Sequence, residues 1–217
     1  DVDLFVSEDV WPLSSYGELR PLDWMGYDLL MRNNGDGTFE NIAFQVGLVS
    51  QEPTRHSIFV DIDNDLDLDI YENNMTKFKK LWRNNLSETG ALSFDDITED
   101  AALDGGDLAY PLETFATSTA DFNSDGWQDI LAFVRGYATE GPYAYGHTLL
   151  LNVEGRGFVD GTEISMLNNP FEPGLRNHAF NGVMGCSPTD VNSDGLVDVF
   201  VANGGPEIGM NNQLFVA

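Results

Sequence analysis

Asp61-Ile-Asp63-Asn-Asp65-Leu-Asp67-Leu-Asp69 places a carboxylate at every odd position of a nine-residue stretch. The pattern returns as Asp121-Phe-Asn123-Ser-Asp125-Gly-Trp127-Gln-Asp129, and again as Asp190-Val-Asn192-Ser-Asp194-Gly-Leu196-Val-Asp198. Side-chain oxygens at positions 1, 3, 5 and 9, with the position-7 carbonyl, suit a hard cation taking roughly six to eight oxygens. Without a cation between them, so many carboxylates would repel one another. Three copies make this a calcium-loop repeat rather than a solvated acidic turn.

The loop is not an EF-hand. That motif needs a bidentate Glu at position 12 and flanking helices, whereas position 12 here is Glu72, Ala132 and Val201. The flanks, such as Ser57-Ile-Phe-Val60 before the first loop and Ile130-Leu-Ala-Phe-Val134 after the second, are β-branched and aromatic runs that read as strands. Each loop is therefore expected to join two strands of a hairpin.

Spacing extends the argument. The first loop starts 60 residues before the second, and the second 69 before the third. A second hairpin is expected in each period: 29–42 with an Asn-Gly-Asp-Gly turn, 81–98, and 149–160. Two hairpins per period make four strands, the content of one propeller blade. The expected fold is all-β, a β-propeller of four-stranded antiparallel blades. Its approximate repeats are 1–55, 56–113, 114–178 and 179–217, about three and a third blades, with no second domain.

The Asp-x-Asp/Asn-x-Asp-Gly-x-x-Asp loop, followed by Leu-x-x-Asn-x-Gly-x-Gly-x-Phe, resembles the FG-GAP/VCBS repeat shared with integrin α-subunit propellers. Asn33-Asn-Gly-Asp-Gly-Thr-Phe39 and Phe200-Val-Ala-Asn-Gly-Gly-Pro206 are most similar to bacterial proteins of the ASPIC/UnbV type. The resemblance implies an extracytoplasmic propeller, usually seven-bladed, with one Ca²⁺ per motif-bearing blade and so about three here. It implies the ligand sets Asp61, Asp63, Asp65, Asp69; Asp121, Asn123, Asp125, Asp129; and Asp190, Asn192, Asp194, Asp198. Asp67, Trp127 and Leu196 would contribute backbone carbonyls. Position 6 departs from the pattern in the first loop, where Leu66 replaces the Gly126 and Gly195 of the others. Asp3-Leu-Phe-Val6 aligns with Asp198-Val-Phe-Val201, and Leu214-Phe-Val-Ala217 matches the start of a third strand. The expectation is a piece of a larger ring, completed by further blades or a protein partner.

Composition agrees with that class. Hydrophobic residues make up 42% of the 217, enough for a core. The net charge of −26 opposes nucleic acid and anionic membranes, and three Ca²⁺ would bring it to −20. No apolar run is long enough for a transmembrane helix, and the single Cys186 excludes a disulfide framework. Weak calcium sites suit the millimolar calcium outside cells, so a periplasmic, cell-surface or secreted location is expected.

Ligand contacts are expected on the face opposite the calcium loops, where the longer connections gather. Trp11, Tyr16, Trp24 and Tyr27 lie in one, and Tyr137, Tyr143 and Tyr145 in another. Such side chains suit partner proteins or sugar rings, or pack over the blade ends. His56, His147 and His178 are isolated, and no nucleophile, zinc-protease or phosphate-loop motif is present. The reading is a non-enzymatic, Ca²⁺-stabilised binding or assembly module, the alternatives being a glycan-binding propeller or the propeller part of a polysaccharide-active enzyme.

Overall fold

Each acidic loop joins two antiparallel strands, and each pair extends into a small meander. The computed structural model describes residues 2–7, 27–50, 52–74, 79–103, 114–134, 146–162, 183–203 and 212–217. The first sheet is β1 (Leu4–Val6), β2 (Leu29–Asn33) and β3 (Phe39–Asn41). The second is β4 (Thr54–Val60), β5 (Asp69–Asn74), β6 (Lys80–Asn84) and β7 (Phe94–Asp96). The third is β8 (Thr114–Ala120), β9 (Asp129–Val134), β10 (Gly146–Asn152) and β11 (Phe158–Asp160). The fourth is β12 (Val183–Thr189), β13 (Asp198–Asn203) and β14 (Gln213–Phe215). All neighbours pair antiparallel in sequence order. Among the described residues the chain is thus all-β apart from short helical turns.

The period-2 alternation of strands decides how the sheets stack. In β5, Ile70 turns to one side and Tyr71 to the other, and both are fully buried because a sheet lies on each face. Ile70, Trp82 and Phe94 pack with Leu30, Ile42, Val46 and Leu48 of the first sheet and its following turn. Tyr71, Leu81 and Val60 pack with Ile130, Leu150 and Phe158 of the third. Leu131, Phe133 and Leu149 pack with Val183, Val199 and Val201 of the fourth. Each fully buried aliphatic or aromatic side chain stabilises by about 1.5–3 kcal/mol, so the three apolar seams hold the stack. Among the described residues, Leu4 and Val6 are exposed on the outward face of one end sheet and Phe200 and Leu214 on that of the other.

In the second, third and fourth sheets the first strands are neighbours, β4 beside β8 and β8 beside β12. Ser118 Oγ of β8 donates to the Cys186 carbonyl of β12 at 2.9 Å, and Asn73 of β5 is hydrogen-bonded to Thr117. Cys186 is half-buried at the rim of the third seam, and burial raises its thiol pKa.

Turns follow the glycines. After β3, a 3-10 turn (Ala43–Val46) ends at Gly47, φ +85°, where a Cβ would lie 2.9 Å from the Phe94 carbonyl oxygen. Between β6 and β7, where the sequence suggests a plain hairpin, the chain makes one helical turn, α1 (Leu86–Thr89), closed by Gly90 at φ +73°.

Candidate metal centres

The three loops share one backbone frame. Position 6 has positive φ throughout: +75° at Leu66, +92° at Gly126 and +88° at Gly195. Its N–H donates to the position-1 carboxylate, from Leu66 to Asp61 (3.2 Å), Gly126 to Asp121 (2.8 Å) and Gly195 to Asp190 (2.9 Å). The position-7 N–H donates to the position-5 carboxylate, from Asp67 to Asp65 (3.0 Å), Trp127 to Asp125 (2.9 Å) and Leu196 to Asp194 (2.9 Å). These contacts wrap the backbone around the side chains of positions 1, 3 and 5.

Position 9 does something the spacing did not suggest. Asp69 Oδ2 accepts the Ile62 N–H (3.0 Å) and its Oδ1 accepts the Asn84 N–H from the end of β6 (2.8 Å). Asp129 repeats this with Phe122 (2.9 Å) and Asn152 (2.8 Å), and Asp198 with Val191 and Ala217 (both 2.9 Å). Asp3, aligned with position 9, takes the Asn33 N–H at 2.8 Å. The third-strand Asn answers with its carboxamide. Asn33 donates to the Val2 carbonyl (3.1 Å), Asn84 to Leu68 (3.2 Å), and Asn152 to Gln128 (3.1 Å) and Ile62 (2.8 Å). The aspartate therefore braces the loop to the third strand whether or not it also touches a cation. The signal was visible as the Asn of the repeated Leu-x-x-Asn, whose partner lies far away in sequence. Burial raises the pKa of Asp69 to about 7 and raises that of Asp129.

The loops differ in how their carboxylates are satisfied. Asn123 Nδ2 donates to Asp125 Oδ2 at 2.9 Å, and Asn192 Nδ2 to Asp194 Oδ2 at 2.8 Å. Asp63, at that position in the first loop, has no proton to give. There Asp61 Oδ1, Asp63 Oδ1, Asp65 Oδ2 and Asp67 Oδ1 are all buried and accept no hydrogen bond. One oxygen each from Asp61, Asp63 and Asp65 lies within 4.8 Å of the other two. Burial raises the Asp63 pKa and the Asp65 charge raises it further, against the Arg83 guanidinium, whose Nε lies 3.3 Å from Asp63 Oδ2. Buried polar atoms nearly always find a partner. A cation would provide one for the Asp61, Asp63 and Asp65 oxygens at once, and an all-oxygen set fits a hard ion such as Ca²⁺ or Mg²⁺.

First and second loops are linked. Asn64 Nδ2 donates to the Gly126 carbonyl at 3.1 Å, and the β10–β11 turn presses on both. A Cβ on Gly155 (φ +72°) would lie 2.9 Å from Asp63 Cα and 3.1 Å from Trp127 Cζ3.

Of the aromatic ligand candidates, Tyr27 is half-buried and meets Phe44 edge-on, with ring centroids 4.8 Å apart. Trp11, Tyr16, Trp24, Tyr137, Tyr143 and Tyr145 lie outside the described residues, as does His178. His147 is buried, which lowers its pKa to about 4. No helix among the described residues is long and apolar enough to cross a membrane. No protein-family model and no curated protein matches this chain.

Proposed function

We propose that this chain is a Ca²⁺-stabilised, non-enzymatic binding or assembly module whose sheets are blades of a β-propeller of the FG-GAP/VCBS kind. The observation that carries the reading is the three-fold repetition of one loop frame, with four orphaned carboxylate oxygens in its first copy. The blade reading is supported by successive meanders packed face to face, with the first strands of the second, third and fourth sheets in contact. Asp61, Asp63 and Asp65 would hold the ion of the first blade, Asp121, Asn123 and Asp125 that of the second, and Asp190, Asn192 and Asp194 that of the third. Asp69, Asp129 and Asp198 stand beside them as braces with spare lone pairs. When bound, the ion supplies positive charge that offsets carboxylate repulsion and fixes the hairpin corner. The exposed side chains of Leu4 and Val6, and of Phe200 and Leu214, suit further blades or a protein partner. The loop chemistry suits a calcium-rich compartment outside the cytoplasm.

Calorimetry with calcium and with excess EDTA tests this. At calcium a hundredfold above Kd, each site adds about 2.7 kcal/mol. We expect chelation to lower Tm by many degrees while a cooperative transition survives, because the position-9 braces need no ion. An unchanged Tm overturns the reading.

A further inference from the structure

Only the first loop carries a carboxylate at position 7, and only beside that loop does the third-to-fourth-strand connection form a helical turn among the described residues. The two features meet. The Ser87 N–H donates to Asp67 Oδ2 at 2.8 Å, and Ser87 Oγ donates to the Asp65 carbonyl at 3.0 Å. These bonds dock α1 against the loop and bring Glu88 to it. One carboxylate oxygen each from Asp65, Asp67 and Glu88 lies within 4.8 Å of the other two. This cluster shares only Asp65 with the one formed by Asp61, Asp63 and Asp65. Asp67 is 7% exposed, and with Oδ2 taken by Ser87 its buried Oδ1 accepts no hydrogen bond. Holding a carboxylate oxygen there without a partner is costly.

Charge points the same way. The second and third loops hold three carboxylates each, so one divalent ion leaves either with a single residual negative charge. The first loop holds five, Glu88 makes six, and Arg83 beside Asp63 offsets one. One divalent ion leaves that assembly with three negative charges, and a second leaves one, matching the other loops.

We infer that the first loop is a two-cation cluster. One ion is held by Asp61, Asp63 and Asp65, and a second by Asp65, Asp67 and Glu88, with Asp65 bridging the two. Three carboxylates and no nitrogen or sulfur donor select a hard divalent ion, Ca²⁺ in a calcium-rich medium. The inference rests on reading the loops as cation sites.

Counting calcium per chain separates the two claims. The full chain, with its Glu88→Gln and Asp67→Asn variants, is dialysed to equilibrium in millimolar calcium and moderate salt, and bound calcium is measured by elemental analysis. Glu88 is exposed, so its amide variant keeps the fold. The expected count is four for the parent and three for each variant. Three in the parent and three in Glu88→Gln overturns the second ion while the three-loop reading stands. Three falling to two, where Asp125→Ala and Asp194→Ala each also lose one ion, means a single ion displaced toward Glu88, which also overturns the cluster. Any count that Glu88→Gln leaves unchanged overturns it, and no bound calcium overturns both claims.

Discussion

Leu66 occupies a backbone conformation that its two counterparts fill with glycine. At φ +75° an L side chain meets its own carbonyl, at a cost of about 1–2 kcal/mol. Its side chain is 91% exposed and offers no packing in return. Leu66→Gly should therefore gain about 1 kcal/mol in a urea melt, after allowance for the extra freedom of the unfolded glycine. Positions 5 and 9 should separate in a second comparison. Asp129→Ala strands the Phe122 and Asn152 N–H groups, and should cost about 2–5 kcal/mol with or without calcium. Asp125→Ala removes exposed contacts to Trp127 and Asn123, so its cost should appear in calcium and nearly vanish in EDTA. Equal losses for Asp125→Ala in both media would mean that position 5 acts through the protein frame alone.

At the scale of the element, the contact to watch is the β10–β11 turn against the first two loops. Gly155→Ala adds left-handed strain of about 1–2 kcal/mol and a Cβ 2.9 Å from the Asp63 backbone. Gly37→Ala, at φ +90° with nothing within 4 Å of its Cβ, supplies the strain without the clash. Gly155→Ala should thus lower Tm by roughly 4–8 °C in a chain of this size, and Gly37→Ala by about half as much. Equal shifts would show that the turn yields freely. Local chemistry made much of this level legible. Asp/Asn runs marked the loops, β-branched runs marked β8, β9 and β13, and Asn-Gly-Asp-Gly marked the β2–β3 turn. Helix α1 was not legible, because Leu86-Ser-Glu-Thr89 is too short for any periodicity and stays in place through Ser87's bonds to Asp65 and Asp67. The Asp–Asn braces were hidden for a related reason: their partners lie 15 to 30 residues apart.

Across the whole molecule, the seams between sheets carry a few buried polar groups, and Glu72 is the plainest. It is fully buried between the first and second sheets, accepting from Ser50 Oγ (3.0 Å) and Trp82 Nε1 (2.9 Å). Burial, with the charge of Asp28 adding to it, raises its pKa to about 8. The folded chain then holds a proton that the unfolded chain releases near its ordinary pKa of 4.5. Stability should therefore fall as pH rises from about 4.5 to about 8. Glu72→Gln can still accept from Trp82 Nε1 and can donate to Ser50 Oγ with that bond reversed, and it removes the titration, so its Tm in saturating calcium should stay flatter over that window. A parallel decline in parent and variant would assign the slope elsewhere. Glu72 falls at loop position 12, where a sequence reader looks for a calcium ligand; strand alternation turns it into the seam instead. The brace at position 9 has its own consequence. A hairpin tied to its third strand by an aspartate keeps that anchor when the residues at positions 1, 3 and 5 change. Substitutions at those positions, or added acids such as Asp67 and Glu88, can change the charge of a loop while the sheet persists. Such a chain can rewrite the charge of its loops one at a time without renegotiating its architecture.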